Sequence, residues 1–226
     1  MSRKIFEEDV MCQTCKAVVE ACEPFKDGFG IVLDQTVFFP EGGGQLSDSG
    51  WLIVGEQRIP VSHVHIQDEV IVHETAEAIP AGTEVEALLD WPVRFDHMQQ
   101  HCGEHLLSYA FWKLFQADNV GFHMNPDLVT IDLNKEVTAD EARQAEDMVN
   151  QQIQEDRPIH AEWMDHTEAA KLTLRKFNEK ITGPLRIVSV EGSDVCTCCG
   201  THPPTTGMVG LVKILKVEKH KDGSRI

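Results

Sequence analysis

Asp90-Trp91-Pro92-Val93-Arg94-Phe95-Asp96-His97-Met98-Gln99-Gln100-His101-Cys102-Gly103-Glu104-His105-Leu106-Leu107 marks the point where the pattern of the chain changes. Asp90 can cap a helix, and Pro92 suits the first turn, where no amide donor is needed. Met98, Cys102, Leu106, Tyr109 and Leu114 then fall near one stripe, which predicts a long helix with its histidines beside the apolar face. Ahead of this break the chain is β-rich in short runs, at residues 30–33, 36–39, 51–54, 59–66, 70–73 and 85–89. Runs this short, punctuated by Gly and Asp-Ser-Gly turns, suggest a small barrel. Pro40-Glu41-Gly42-Gly43-Gly44-Gln45 is the one stretch there that no regular element accommodates.

Behind the break, helices and strands alternate. Residues 120–123 and 128–133 flank Asn125-Pro126-Asp127 as a hairpin. Thr138-Ala139-Asp140-Glu141 is a capping box that opens a second helix, with Ala145, Met148, Val149 and Ile153 inward. A strand near 159–164, a helix near 167–177, and strands at 186–190 and 212–217 complete the reading. The expected fold class is α+β: a small N-terminal β-barrel over residues 1–90, then an α+β domain over residues 91–226 with a mainly antiparallel sheet.

Two ligand pairs stand out in the second part. His101 and His105 are four apart, and so are Cys198 and His202 in Cys198-Cys199-Gly200-Thr201-His202. On a helix, a spacing of four stacks two side chains on one face. Imidazole and thiolate are donors that zinc favours, so the two pairs predict one shared Zn2+. His97 extends the helical series, but at about 1.5 Å rise per residue His97 and His105 are roughly 12 Å apart, too far for one ion. The helical pair is therefore His101/His105 or His97/His101. Cys196 and Cys199 flank Cys198, and the spacing to His202 favours Cys198.

Composition narrows the class. The chain has 226 residues, 42% of them hydrophobic and 25% charged, as expected of a soluble globular protein. No apolar run is long enough for a membrane span and no signal-peptide core opens the chain, so a cytoplasmic protein without membrane contact is expected. Seven cysteines fit a reducing compartment better than a disulfide framework. Cys12-Gln13-Thr14-Cys15 has no second pair at ribbon spacing and reads as structural. His63, His65 and His73 alternate as polar-face strand residues do. The net charge of −17 argues against broad nucleic-acid binding. Its distribution is uneven, with a balance of −22 over residues 1–170 and +5 over residues 171–226. Lys171, Arg175, Lys176, Lys180, Arg186, Lys213, Lys216, Lys219 and Lys221 are the candidates for a phosphate-facing patch.

These stretches carry a family resemblance. Residues 90–107, with Arg94, Met98, His101 and His105, resemble the zinc-binding helix of the alanyl-tRNA synthetase editing domain. Residues 194–207, with Cys198, Gly200, Thr201, His202, Thr206 and Gly207, are similar to that domain's second ligand segment. Phe39-Pro40-Glu41-Gly42-Gly43-Gly44-Gln45, with Asp48 and Gly50, resembles the glycine-rich turn of the preceding barrel. Without a synthetase catalytic portion, the combination looks like the free-standing AlaX editing proteins in the form that keeps the barrel. The resemblance implies zinc held by His101, His105, Cys198 and His202. It also implies hydrolysis of mischarged alanine tRNA, chiefly the seryl and sometimes the glycyl ester. Cys102 and Glu104 stand where the family often has Thr or Ser, and Cys199 replaces a glycine.

That chemistry asks little of a protein beyond positioning a water, polarising the ester carbonyl and reading the side chain. A buried group that hydrogen-bonds the seryl hydroxyl would reject alanine, which leaves it unpaired. His123, in the strand resembling the family's specificity strand, is a candidate, as are Gln45 and Thr201. Gln45, Glu104 and Thr201 are the catalytic candidates, with Glu104 expected at the surface unless it is a base. Gly42, Gly43 and Gly44 would let backbone approach the tRNA end. The rival reading is a zinc-stabilised tRNA- or protein-binding module without hydrolytic activity. A zinc peptidase is disfavoured, because Glu does not directly follow His101.

Overall fold

The computed structural model describes residues 2–177 and 181–226, which leaves Lys180 outside the described residues. Two compact units emerge, Met1–His97 and Met98–Ile226, divided inside a helix.

The first unit opens with β1 (Arg3–Lys4) and α1 (Ile5–Glu8), followed by β2 (Thr14–Phe25), β3 (Gly28–Leu33) and β4 (Gln35–Thr36). It continues through β5 (Gly50–Val54), β6 (Gln57–Gln67), β7 (Val70–Thr75) and β8 (Glu84–Leu89). Six of these close an antiparallel barrel in the order β2-β3-β7-β6-β5-β8. Alternation sends Val19, Ile31, Leu33, Leu52, Ile59, Val61, Val64, Ile71, Val85 and Leu89 into one apolar core. Strand β2 escaped the sequence reading, although Ala17 and Val19 are buried in turn with exposed Lys16, Val18 and Glu20. Cys12 and Cys15 pack against this core, and burial pushes the Cys15 thiol up to about 11. Of the expected strand at 36–39, only Gln35–Thr36 forms. The amides that follow are taken by side chains instead, Phe38 N–H by Thr36 Oγ1 and Phe39 N–H by Asp48 Oδ2.

His73 is not the polar-face residue its alternation suggested. It is 0% exposed in the barrel interior, where Nδ1 donates to the Ile31 carbonyl and Nε2 meets Thr36 Oγ1 at 2.8 Å. Burial lowers its pKa to about 4. The unfolded chain therefore binds a proton near pH 6.5 that the folded barrel refuses until about pH 4, so stability falls as pH drops through that window. Urea unfolding at pH 7 and pH 5 is expected to show about 2 kcal/mol of this loss. His73→Leu should remove that share, and an unchanged pH dependence in the variant would contradict the assignment.

The second unit follows α2 (Trp91–Phe115), β9 (Asn119–Met124), β10 (Val129–Leu133), α3 (Ala139–Gln154), β11 (Ile159–Met164) and α4 (His166–Ala169). Strands β12 (Leu185–Val190) and β13 (Val195–Thr197), a 3-10 turn at Thr206–Val209, β14 (Glu218–His220) and β15 (Gly223–Arg225) end it. There are two antiparallel sheets, β14-β15-β10-β9 and β11-β12-β13. Cys102, Leu106, Ala110 and Phe111 of α2 share a core with Ile131, Leu133, Ala145, Val149 and Ile153. Thr138 and Glu141 form the reciprocal capping box at the start of α3. The architecture is α+β with an N-terminal barrel.

Three sequence expectations need correction. Leu114 is exposed, so the buried stripe of α2 runs through Phe111 instead. The helix expected at 167–177 stops at Ala169, because the chain turns to pair with β13: Arg175 N–H donates to the Val195 carbonyl, and Lys176 bridges Cys196. No strand forms at 212–217. Asn150 takes both the amide and the carbonyl of Val212, and the Glu146 carboxylate takes the Ile214 amide. Side chains of α3 thus replace a strand partner.

Candidate metal centre

His101 and His105 lie one turn apart on the inward side of α2, and their rings sit 5.1 Å apart. The loop after β13 brings Cys198 and His202 to them. Cys198 Sγ is 3.5 Å from His101 Nε2 and 3.4 Å from His202 Nε2, and the His101 and His202 rings are 4.6 Å apart. One donor atom from each of His101, His105, Cys198 and His202 falls within 4.8 Å of all the others. A tetrahedral ion with bonds of about 2.0 Å to nitrogen and 2.3 Å to sulfur holds such donors roughly 3.5 Å apart. Two of the quartet's edges, from Cys198 to His101 and to His202, have that length and all lie within 4.8 Å, a donor set that fits zinc. His97 stays out of the group, with Nδ1 buried and lacking a hydrogen-bond partner.

Electrostatics separate the three neighbouring cysteines. Burial alone would raise the Cys198 thiol, but His101 and His105 outweigh it and hold the thiol well below its usual range. Burial raises the Cys196 thiol, and Cys199 is exposed. Burial works against charge on His105 too, yet Cys196, Cys198 and Asp194 carry its pKa well above the ordinary value. Burial, then His105, lower His202 to about 3. Cys198 and His105 are thus shifted in opposite directions, each favouring charge on the other. His105 Nδ1 is 3.1 Å from an Asp194 oxygen and 3.4 Å from Cys196 Sγ, which leaves Nε2 for an ion. Asp194 is itself fixed by two guanidinium nitrogens of Arg175, Nε and Nη2, at 2.6 and 2.8 Å. A carboxylate on the far nitrogen of a ligand histidine sets its tautomer and raises its basicity.

Glu104 is not a surface carboxylate. It is 8% exposed, and Oε1 accepts from Ser108 Oγ at 2.5 Å and from Asn119 Nδ2 at 2.7 Å. Its other oxygen lies 4.0 Å from His105 Nε2. The Ser108 contact was legible as an i,i+4 pair on a helix. Asn119 follows the helix and left no comparable signal.

The remaining candidates are dispersed. Thr201 is buried next to His202. Strand β9 packs Phe122 on the His101 ring at 5.3 Å, so alternation turns His123 to the other face, 56% exposed and 3.6 Å from Asp132. In the barrel unit, Gly42 and Gln45 exchange backbone hydrogen bonds at 3.2 and 3.1 Å, with Gly43 and Gly44 at positive φ and the Gln45 side chain buried. The suggested basic patch is largely committed elsewhere. Arg175 holds Asp194, Arg186 holds the carbonyls of Cys198 and Gly200, and Lys171, Lys213, Lys216 and Lys219 each pair with a glutamate.

Residues 6–93 match the family described as tRNA synthetases class II (A). Residues 185–226 match the threonyl and alanyl tRNA synthetase second additional domain. The alanyl-tRNA editing protein AlaX-L of Pyrococcus horikoshii is 35% identical over 223 residues, 97% of this chain and 55% of the relative. The chain is homologous to the alanyl-tRNA editing proteins. Aarsd1-B of Xenopus laevis, another alanyl-tRNA editing protein, is 37% identical over 197 residues, 86% of this chain and 47% of its own length. The alanine–tRNA ligase of Pyrococcus abyssi is 37% identical over 205 residues, 87% of this chain but 22% of the ligase. The chain thus spans about half the length of these editing proteins and about a fifth of the ligase. Among the described residues no helix is long and apolar enough to cross a membrane.

Proposed function

We propose that the protein is a zinc-dependent hydrolase that removes the amino acid from mischarged alanine tRNA, with the seryl ester its first substrate and the glycyl ester its second. The observation that carries this reading is the His101/His105/Cys198/His202 quartet with the buried Glu104 carboxylate beside it. The relatives named above for alanyl-tRNA editing supply the substrate class. When bound, zinc supplies a Lewis acid for polarising an ester carbonyl. Glu104, fixed through Oε1 by Ser108 and Asn119, keeps Oε2 toward the quartet and takes the proton of the attacking water. Asp194 keeps His105 in the tautomer that directs Nε2 at the ion. Thr201 reads the seryl hydroxyl, a role its burial beside His202 suits better than the outward position of His123. Gly42, Gly43 and Gly44, with Gln45 beneath them, give the barrel unit its own stretch of bare backbone for the tRNA end. With Arg175 and Arg186 committed within the fold and four lysines paired with glutamates, phosphate contacts fall first to the exposed Lys176 and Lys221.

The test is ester loss from alanine tRNA charged with serine or with alanine. Seryl-tRNA should be cleared faster, by up to on the order of 10⁴-fold where a hydroxyl is read by a dedicated partner. His123→Ala should leave that ratio unchanged and Thr201→Val should collapse it. Equal rates on both esters would mean the hydroxyl is not read. Failure on both with zinc present would favour a zinc-stabilised binding module, to which a four-ligand set also conforms.

A further inference from the structure

A second histidine cluster lies on the barrel, outside the quartet. His63 and His65 are two apart on β6 and share a face, and Glu74 on β7 stands opposite His63 in the ladder. One donor from each falls within 4.8 Å of the others. The His63 and His65 rings stack at 5.8 Å with an 18° interplanar angle. His63 Nδ1 is held by Ser47 Oγ at 3.0 Å, which leaves Nε2 for another partner. His65 Nδ1 is buried and lacks an aligned hydrogen-bond partner, although Glu74 Oε1 is 3.2 Å away. A preset imidazole and a buried nitrogen beside a carboxylate without an aligned bond are two features suited to coordinating an ion.

We infer that His63, His65 and Glu74 form a second divalent-cation site, specific for a transition ion such as Zn2+. Two imidazoles and one carboxylate are a three-ligand zinc set with a position left for solvent or a fourth donor. Glu41 Oε2, 3.6 Å from His63 Nε2, is a donor within reach. Imidazole donors select zinc, cobalt or nickel over magnesium and calcium, which require oxygen. Lys26 competes for the site: its ammonium lies 2.9 and 3.1 Å from the two Glu74 oxygens on a side chain that is 64% exposed. An ion entering the cluster displaces that ammonium into solvent.

The experiment is a Zn2+ titration of the full chain, read by calorimetry and metal content. His65→Ala is expected to bind one equivalent fewer than the unaltered protein. Because the readout is a difference, it holds whether or not the quartet is filled. Lys26→Asn removes the competing charge, keeps a residue suited to the positive φ of Lys26, and should tighten the second equivalent about fivefold. Mg2+ should not compete. Equal stoichiometry in His65→Ala, or no tightening in a folded Lys26→Asn, would reduce the cluster to an ion-pair network between Lys26, Glu74 and His65.

Discussion

Asp48→Ala is expected to destabilise the barrel unit by about 3–5 kcal/mol, the cost of leaving a buried charge without its partner. Asp48 and Arg94 side chains are both 0% exposed. Arg94 Nε reaches both Asp48 oxygens at 2.9 Å, and Nη2 adds a bond to the Val37 carbonyl at 2.6 Å. The carboxylate also accepts the Phe39 amide, so one truncation strands a guanidinium and a backbone donor together. Replacing the pair with apolar side chains of similar volume, Asp48→Leu with Arg94→Met, should cost less than Asp48→Ala alone. Urea unfolding of the three variants decides it. A loss below about 1 kcal/mol in Asp48→Ala would mean water reaches the pair and the site behaves as a surface ion pair.

That ion pair also shows what the sequence could and could not disclose. Arg94 and Asp48 were both visible as residues, but 46 positions separate them and no periodicity joins them. Elements that rest on local pattern were legible: the α2 start at Trp91, the Thr138 capping box, the hairpin around Asn125-Pro126-Asp127, and most barrel strands. The two strands that failed to form share one cause. At 36–39 and at 212–217, side chains of Asp48, Thr36, Asn150 and Glu146 satisfy the backbone, so β-rich sequence runs on without a strand partner. His73 and Glu104 failed for a related reason. Their type suggests a polar face, but Thr36 and Ile31, or Ser108 and Asn119, satisfy them inside. Spacing left the helical pair open between His101/His105 and His97/His101; the structure brings His101 and His105, not His97, within 4.8 Å of Cys198 and His202.

Cys198→Ala should abolish metal retention and, with it, any ester hydrolysis, while Cys199→Ala leaves both intact. The thiol of Cys198 is the anionic donor of the quartet, because His101 and His105 outweigh the penalty of its burial. Cys196 is placed differently: burial raises its thiol, and it sits at His105 Nδ1, away from the nitrogen left for the ion. Losing an outer partner of a ligand typically costs about 10–100-fold in metal affinity, so Asp194→Asn should fall in that range and Cys198→Ala beyond it. The proton balance gives an independent sign. The His105 pKa is raised in the metal-free quartet, and a ligand imidazole must give up its proton to an ion. Metal affinity should therefore weaken as pH falls, and calorimetry in buffers of different ionisation enthalpy should register proton release on Zn2+ uptake. The decisive observation is metal content after dialysis, measured beside seryl-tRNA deacylation in the same preparations. Full metal and full activity in Cys198→Ala, with loss of both in Cys196→Ala, would reassign the thiolate and the geometry built around it.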